Sequence, residues 1–177
     1  MVDDIRLVFL QEPRKSRTEV TMKKILYIDM DNVIVDFKSG ISRLSQSTQN
    51  EFVGHLDDVP GIFALMDPMP GAIESVNKLQ HHYDTYVLST APWANPSAWS
   101  DKVEWIHRYF GDHEETPLYK RLILSHHKNL NAGDFLIDDR TANGVEQFKG
   151  EHIHFGQGDW PDWEKVTNYL IELVITN

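Results

Sequence analysis

The chain has no cysteine among its 177 residues. That excludes a disulfide, a thiolate zinc site and an iron–sulfur cluster. Long apolar runs are missing too, since none approaches the roughly 20 residues that a membrane-spanning helix needs. Positive charge is scarce, with 17 Lys and Arg against 27 Asp and Glu and a net charge of -10. A nucleic-acid duplex, whose phosphates attract basic surfaces, is therefore a poor partner. A small phosphorylated molecule held by a metal and one or two local cations stays open. The remaining composition, 41% hydrophobic and 25% charged, is that of a globular chain long enough for one domain with a real core.

The first 21 residues stand apart. IRLVFL is too short and too close to Asp3 and Asp4 for a secretory signal, and QEPRKSRTE after it is polar. Residues 1–21 are expected to be an appendage, the domain running over 22–177 with a cytoplasmic location by default. From Met22 onward apolar runs alternate with amphipathic segments. Strands are expected at 24–29, 84–89, 121–124, 134–137 and 152–155, and helices near 37–48, 71–81, 99–109, 143–149 and 161–173. That alternation reads as α/β, a Rossmann-like three-layer sandwich around a mainly parallel sheet. The interval at about 38–70 fits it poorly, and its length predicts a small helical cap inserted after the first strand.

The stretch YIDMDNVIVDF, residues 27–37, carries the main signal. Ile25, Leu26, Tyr27 and Ile28 form an apolar run of the kind buried on both faces of a sheet. Asp29 and Asp31 then follow where the strand should end. Carboxylates that close repel, and a divalent cation is the commonest remedy. In an open parallel sheet, ligands bind beyond the carboxyl ends of the strands. Thr90 follows TYVLS, Lys128 follows RLILS, and Asp138 and Asp139 close DFLI. Together they make chemical sense as a phosphoryl-transfer set: nucleophile, acid/base, phosphate clamps and metal ligands. Each alone has a plainer reading as a turn, a helix cap or a solvated charge. Hard oxygen donors without thiolate or imidazole suit magnesium over zinc.

These motifs resemble the haloacid dehalogenase superfamily: DMD at 29–31, a strand-end Thr90, Lys128 and LIDDR at 136–140. More narrowly the chain resembles the 5′(3′)-deoxyribonucleotidases, through DMDNVIVDF, PGIFALMDPMPGA at 60–72, STAPW at 89–93, DKVEWIHRYFG at 101–111 and DWPDWEKV at 159–166. The resemblance implies a phosphatase in which Asp29 is the nucleophile and Asp31 the general acid, then base. It implies Mg2+ held by the Asp29 carboxylate, the Asp31 carbonyl and Asp139, with Asp138 orienting Lys128 or a metal-bound water. Thr90 and Lys128 would bind phosphate, with Ser89 as the alternative hydroxyl and Lys102 as a second lysine near the phosphate. Phe37, Ile62 and Phe63 would line the base pocket, although core packing explains them equally well. His126 stands where the family often has arginine, which bears on sugar or phosphate contact.

The favoured substrate is then a deoxyribonucleoside monophosphate, with a homodimer left open. Two other functions compete. One is a haloacid dehalogenase phosphatase for sugar phosphates or for the 3′-phosphate of a nucleic-acid end, though the latter needs a basic entrance. The other is a non-catalytic nucleotide binder on the same fold, which would have no need of Asp31. His152 and His154, two apart on one strand face, could bind a metal but lack an evident third ligand. His81 and His82 suit a helix carboxyl end, and Trp160 and Trp163 suit packing of the terminal helix.

Overall fold

The structure, a computed structural model, describes residues 22–176, so the expected appendage at 1–21 lies outside the described residues. In chain order the elements are β1 (Ile25–Ile28), β2 (Val35–Asp36), α1 (Phe37–Ser42), α2 (Gln46–Glu51), β3 (Asp67–Pro68) and α3 (Ala72–Leu79). There follow β4 (Asp84–Ser89), α4 (Ser97–Phe110), β5 (Leu122–Leu124), β6 (Phe135–Asp138), β7 (Glu151–His154) and α5 (Trp163–Ile175). Five of the strands form one parallel sheet in the order β5-β4-β1-β6-β7. Its centre, β1, is flanked on both sides, which is why ILYI reads as an unbroken apolar run.

Alternation along β1 divides the core. Leu26 and Ile28 face a large cluster that includes Val76, Trp105, Val166 and Leu170 from α3, α4 and α5. Tyr27 faces a smaller cluster with Leu88, Leu136 and Val145, backed by Phe148. That second outer layer is thin. The helix expected at 143–149 is only a 3-10 turn at Val145–Gln147. Asn143 and Gly144 have φ of 55° and 85°, a left-handed pair that an α-helix cannot begin through.

The helix expected at 37–48 is likewise two short ones. α1 stops at Arg43, and Ser45 starts α2 afresh, its Oγ accepting from the Thr48 N–H at 3.1 Å. This insertion leaves and returns through a two-stranded antiparallel ribbon, Val35 opposite Pro68 and Asp36 opposite Asp67. Such a two-residue ladder leaves no periodic trace in the sequence. Long side chains of α4 then strap the returning arm: Trp105 Nε1 donates to Met66 O at 2.8 Å and Arg108 to Ala64 O at 3.0 Å. Asn95, in the loop before α4, donates to Asp57 O and Val59 O at 2.9 and 3.0 Å. The insertion is thereby fixed over the carboxyl ends of the strands. Among the described residues, no helix is long and apolar enough to cross a membrane.

Candidate active site

Asp29 follows directly on β1, its N–H bonded to Ile137 O of β6 at 2.8 Å. The chain then coils: the N–H groups of Val33, Ile34 and Val35 all point at Met30 O, at 3.3, 2.9 and 2.9 Å. Asn32 takes a φ of 57° within this loop, a conformation Asn tolerates better than most residues. Its amide donates to Asp139 Oδ2 at 3.1 Å, tying the first loop to the end of β6.

Asp29, Asp138 and Asp139 bring one carboxylate oxygen each to within 4.8 Å of one another. Lys128 Nζ lies 2.9 Å from Asp29 Oδ1 and 2.5 Å from Asp138 Oδ2. All three of Lys128, Asp29 and Asp138 are buried. The lysine is presented by a short 3-10 turn whose own N–H donates to Asn143 O at 2.8 Å. A Cβ on Gly144 would come within 2.2 Å of Asn129 Oδ1, so that turn packs against a residue that has to be glycine.

The electrostatics are unbalanced. Burial, then the Asp29 charge, pushes Asp138 up to about 6 despite Lys128, and raises Asp139 for the same two reasons. Burial works to lower the Lys128 pKa, but Asp29 and Asp138 outweigh it and the net shift is upward. Asp29 Oδ2 and Asp139 Oδ1 are buried without a hydrogen-bond partner among the described residues. Unsatisfied buried carboxylate oxygens are costly unless a cation or donor completes them.

Asp31 is held differently. Lys102, fully buried, meets both its oxygens at 2.8 and 2.7 Å and also donates to Ser89 Oγ at 3.0 Å. The ammonium lies 4.5 Å from the centre of the Phe63 ring. Burial raises the Asp31 pKa most, Lys102 opposes it, and Asp29 adds to it.

A cleft of about 650 Å³ opens above this floor. Of the residues singled out in the sequence, Asp31, Thr90, Phe37, Phe63 and His126 line it. Thr90 donates its hydroxyl to Ser125 O at 3.0 Å, whereas Ser89 is buried below on Lys102. Phe37 and Phe63 stand 6.0 Å apart, centre to centre. Ile62 is fully buried in the core instead of lining the cleft, its backbone oxygen and side chain packed close to Gly40. Asn32, Asp57, Asp58, Trp93, Arg140 and Asn143 also line the cleft but were not legible as site residues in the sequence. The rule that reads polar residues after strands passes over Trp93, and Asp57 and Asp58 reach the cleft only through the fold of the insertion. Trp93 is 85% exposed and meets His126 edge-on at 6.2 Å. A second cavity, about 500 Å³ between α4 and β5, has no acidic lining residue.

Comparison with known proteins agrees with this architecture. The structure of a candidate HAD hydrolase, YfnB from Bacillus subtilis, bound to magnesium, superposes with a TM-score of 0.55 at 10% identity, covering 84% of this chain and 99% of that one. At that identity the likeness is one of fold. The fold is therefore haloacid dehalogenase-like. A family model described as 5′ nucleotidase, deoxy (pyrimidine), cytosolic type C protein matches residues 38–166. A candidate 5′(3′)-deoxyribonucleotidase of Vibrio phage KVP40 is 56% identical over 155 residues, covering 88% of this chain and 89% of the relative. The cytosolic-type 5′(3′)-deoxyribonucleotidase of Homo sapiens is 27% identical over 159 residues, covering 72% and 77%. The chain belongs to this deoxyribonucleotidase family and is a phosphoric monoester hydrolase.

Proposed function

We propose that the protein hydrolyses deoxyribonucleoside monophosphates in the cytoplasm, using magnesium and a phosphoryl group carried transiently on Asp29. The observation that carries this is the Asp29 carboxylate itself. It is buried at the carboxyl end of the central strand, one oxygen on Lys128 and the other without a hydrogen-bond partner among the described residues.

Magnesium fits this floor. Three converging carboxylates with two incomplete oxygens form a hard, all-oxygen donor set. Asp29 and Asp139 would hold the ion, with the backbone carbonyl of Asp31. Bound there, it supplies positive charge that offsets the repulsion between a carboxylate and an incoming phosphate.

The residues of the chain divide the remaining work. An Asp29 oxygen attacks phosphorus while the bond from phosphorus to the sugar oxygen breaks. Asp31 gives its proton to that departing oxygen. Water then attacks the phosphorus of the aspartyl-phosphate, Asp31 takes back a proton, and inorganic phosphate leaves with Asp29 restored. Lys128 and Thr90 hold phosphate oxygens, and Asp138 keeps Lys128 aimed at Asp29. Lys102 acts through Asp31, countering the burial that would otherwise keep it protonated throughout. Phe37, beside Phe63 in the cleft, offers a flat apolar surface to the base.

A phosphate-release screen tests the proposal. It should cover deoxyribo- and ribonucleoside monophosphates and sugar phosphates, with magnesium and with chelator. Deoxyribonucleotides should be the best substrates, and turnover should stop with chelator. Faster release from sugar phosphates would favour a different phosphatase on this fold. Nucleotide binding without release would favour a non-catalytic binder.

A further inference from the structure

Two histidines outside the reaction sit directly behind its acidic floor. His152 and His154 share one face of β7, with Ile153 buried on the other. Their rungs on β6 are Leu136 and Asp138, yet each ring leans forward along the strand. His152 Nε2 meets the backbone oxygen of Asp138 at 3.1 Å, and His154 Nε2 that of Asp139 at 3.0 Å. A carbonyl can only accept, so both Nε2 atoms carry the proton. The rings lie 5.1 Å apart and 31° from parallel, so each limits the rotation of the other.

The sheet ladder ends at this point. Phe155 N–H makes its last bond to Asp138 O at 3.0 Å, and beyond it the Asp139 carbonyl is met by His154. The peptide planes on either side of Asp139 set where its carboxylate points. Small changes there matter, because groups around a metal must be held within about 0.5 Å.

We infer that His152 and His154 are positioning residues for the acidic turn Asp138–Asp139, holding its backbone so that both carboxylates face Asp29. They act on carbonyl oxygens through Nε2, and among the described residues the group able to hold a metal is Asp29, Asp138 and Asp139, without either histidine. The inference rests on the magnesium reading proposed above.

Magnesium binding to the intact protein without substrate, measured by titration calorimetry, tests it. The variants are His152→Gln, His152→Asn, His154→Gln and His154→Asn. A glutamine amide reaches about as far as Nε2, and an asparagine amide falls short. Both are neutral and smaller than the ring, so lost packing affects them alike. The Asn variants should bind magnesium roughly 10- to 100-fold more weakly, as loss of outer-shell partners usually does. The Gln variants should stay close to wild type. Equal affinities for each Gln and Asn pair, whether both normal or both weakened, would overturn the inference. If an Asn variant does not fold, as circular dichroism would show, the double Gln variant decides: tenfold weaker binding overturns the inference, near-normal binding supports it. If the wild-type protein takes up no magnesium, the metal reading fails first and takes the inference with it.

Discussion

Lys102 and Asp31 form a buried pair in which one ammonium meets both carboxylate oxygens, at 2.8 and 2.7 Å. The lysine is fully buried and the aspartate side chain 14% exposed. Burial raises the Asp31 pKa and Lys102 holds it back. Lys102→Met should therefore move the Asp31 titration to higher pH. Loss of rate at alkaline pH, where the acid form of Asp31 disappears, should begin at higher pH in the variant. Breaking a buried pair costs up to about 3–5 kcal/mol, although protonation of Asp31 would relieve part of it. A pH profile of kcat/KM that falls in height without moving would show that Lys102 does not act through Asp31.

The acidic floor also predicts a pH trend for metal-free stability. Asp138 and Asp139 have folded pKa values above their ordinary ones, Asp138 at about 6. The folded state thus binds more protons than the unfolded state between roughly pH 4 and 6. Stability contributed by these groups should rise as pH falls through 6 and be lost above it. Magnesium competes with those protons, so its stabilising effect should be larger at pH 7.5 than at pH 5.5. At 100 times Kd the gain is about 2.7 kcal/mol. Thermal melts with magnesium or chelator at both pH values decide this, and an equal magnesium shift at both would place the ion elsewhere.

The two adjacent aspartates should separate in function. Asp138 is occupied by Lys128 and by the Arg140 N–H at 2.9 Å, while Asp139 keeps an oxygen without a hydrogen-bond partner among the described residues. Asp139→Ala should raise the magnesium requirement more, and Asp138→Ala should raise the phosphate KM more. The reverse ranking in a magnesium titration of activity would mean that the assignments are exchanged.

Much of this floor was legible in the sequence, because each strand-end residue follows an apolar run whose length marks the strand. Asp29, Lys128 and Asp138, expected at strand ends, lie together in that floor, and Thr90 lines the cleft above. The partner of Lys102 was not legible in the sequence. Asp101 and Glu104 around it suggest a solvated helix face, and only the packing of α4 under the insertion turns Lys102 inward. Ile62 and Phe63 are equivalent as an apolar pair; both are buried in one core cluster, and only the tertiary fold brings the edge of Phe63 to the cleft. The helix expected at 143–149 shrinks to a 3-10 turn: Val145 and Phe148 keep helical spacing, but Asn143 and Gly144 carry the decisive backbone geometry.

The two cleft phenylalanines should behave differently for that reason. Phe37 is only partly buried, so Phe37→Ala mainly removes a surface for the base. A loss of about 1–3 kcal/mol per stacked base is roughly 5- to 150-fold in kcat/KM. It should fall on deoxyribonucleotides and spare para-nitrophenyl phosphate. Phe63 is 1% exposed and lies under the Lys102 ammonium, so Phe63→Ala should also cost about 3–5 kcal/mol of stability. Equal losses on both substrates for Phe37→Ala would return that ring to a packing role.

The central claim is that phosphate passes through Asp29, and chemical trapping tests it most directly. The protein would be mixed with a deoxyribonucleoside monophosphate and magnesium, quenched in acid within one turnover, reduced with borohydride and mapped by peptide mass spectrometry. Reduction converts an aspartyl-phosphate to homoserine. The account predicts homoserine at position 29 in the wild type and none in Asp29→Asn, which should be folded and inactive. Steady turnover with no modification at position 29, or an active Asp29→Asn protein, would contradict it.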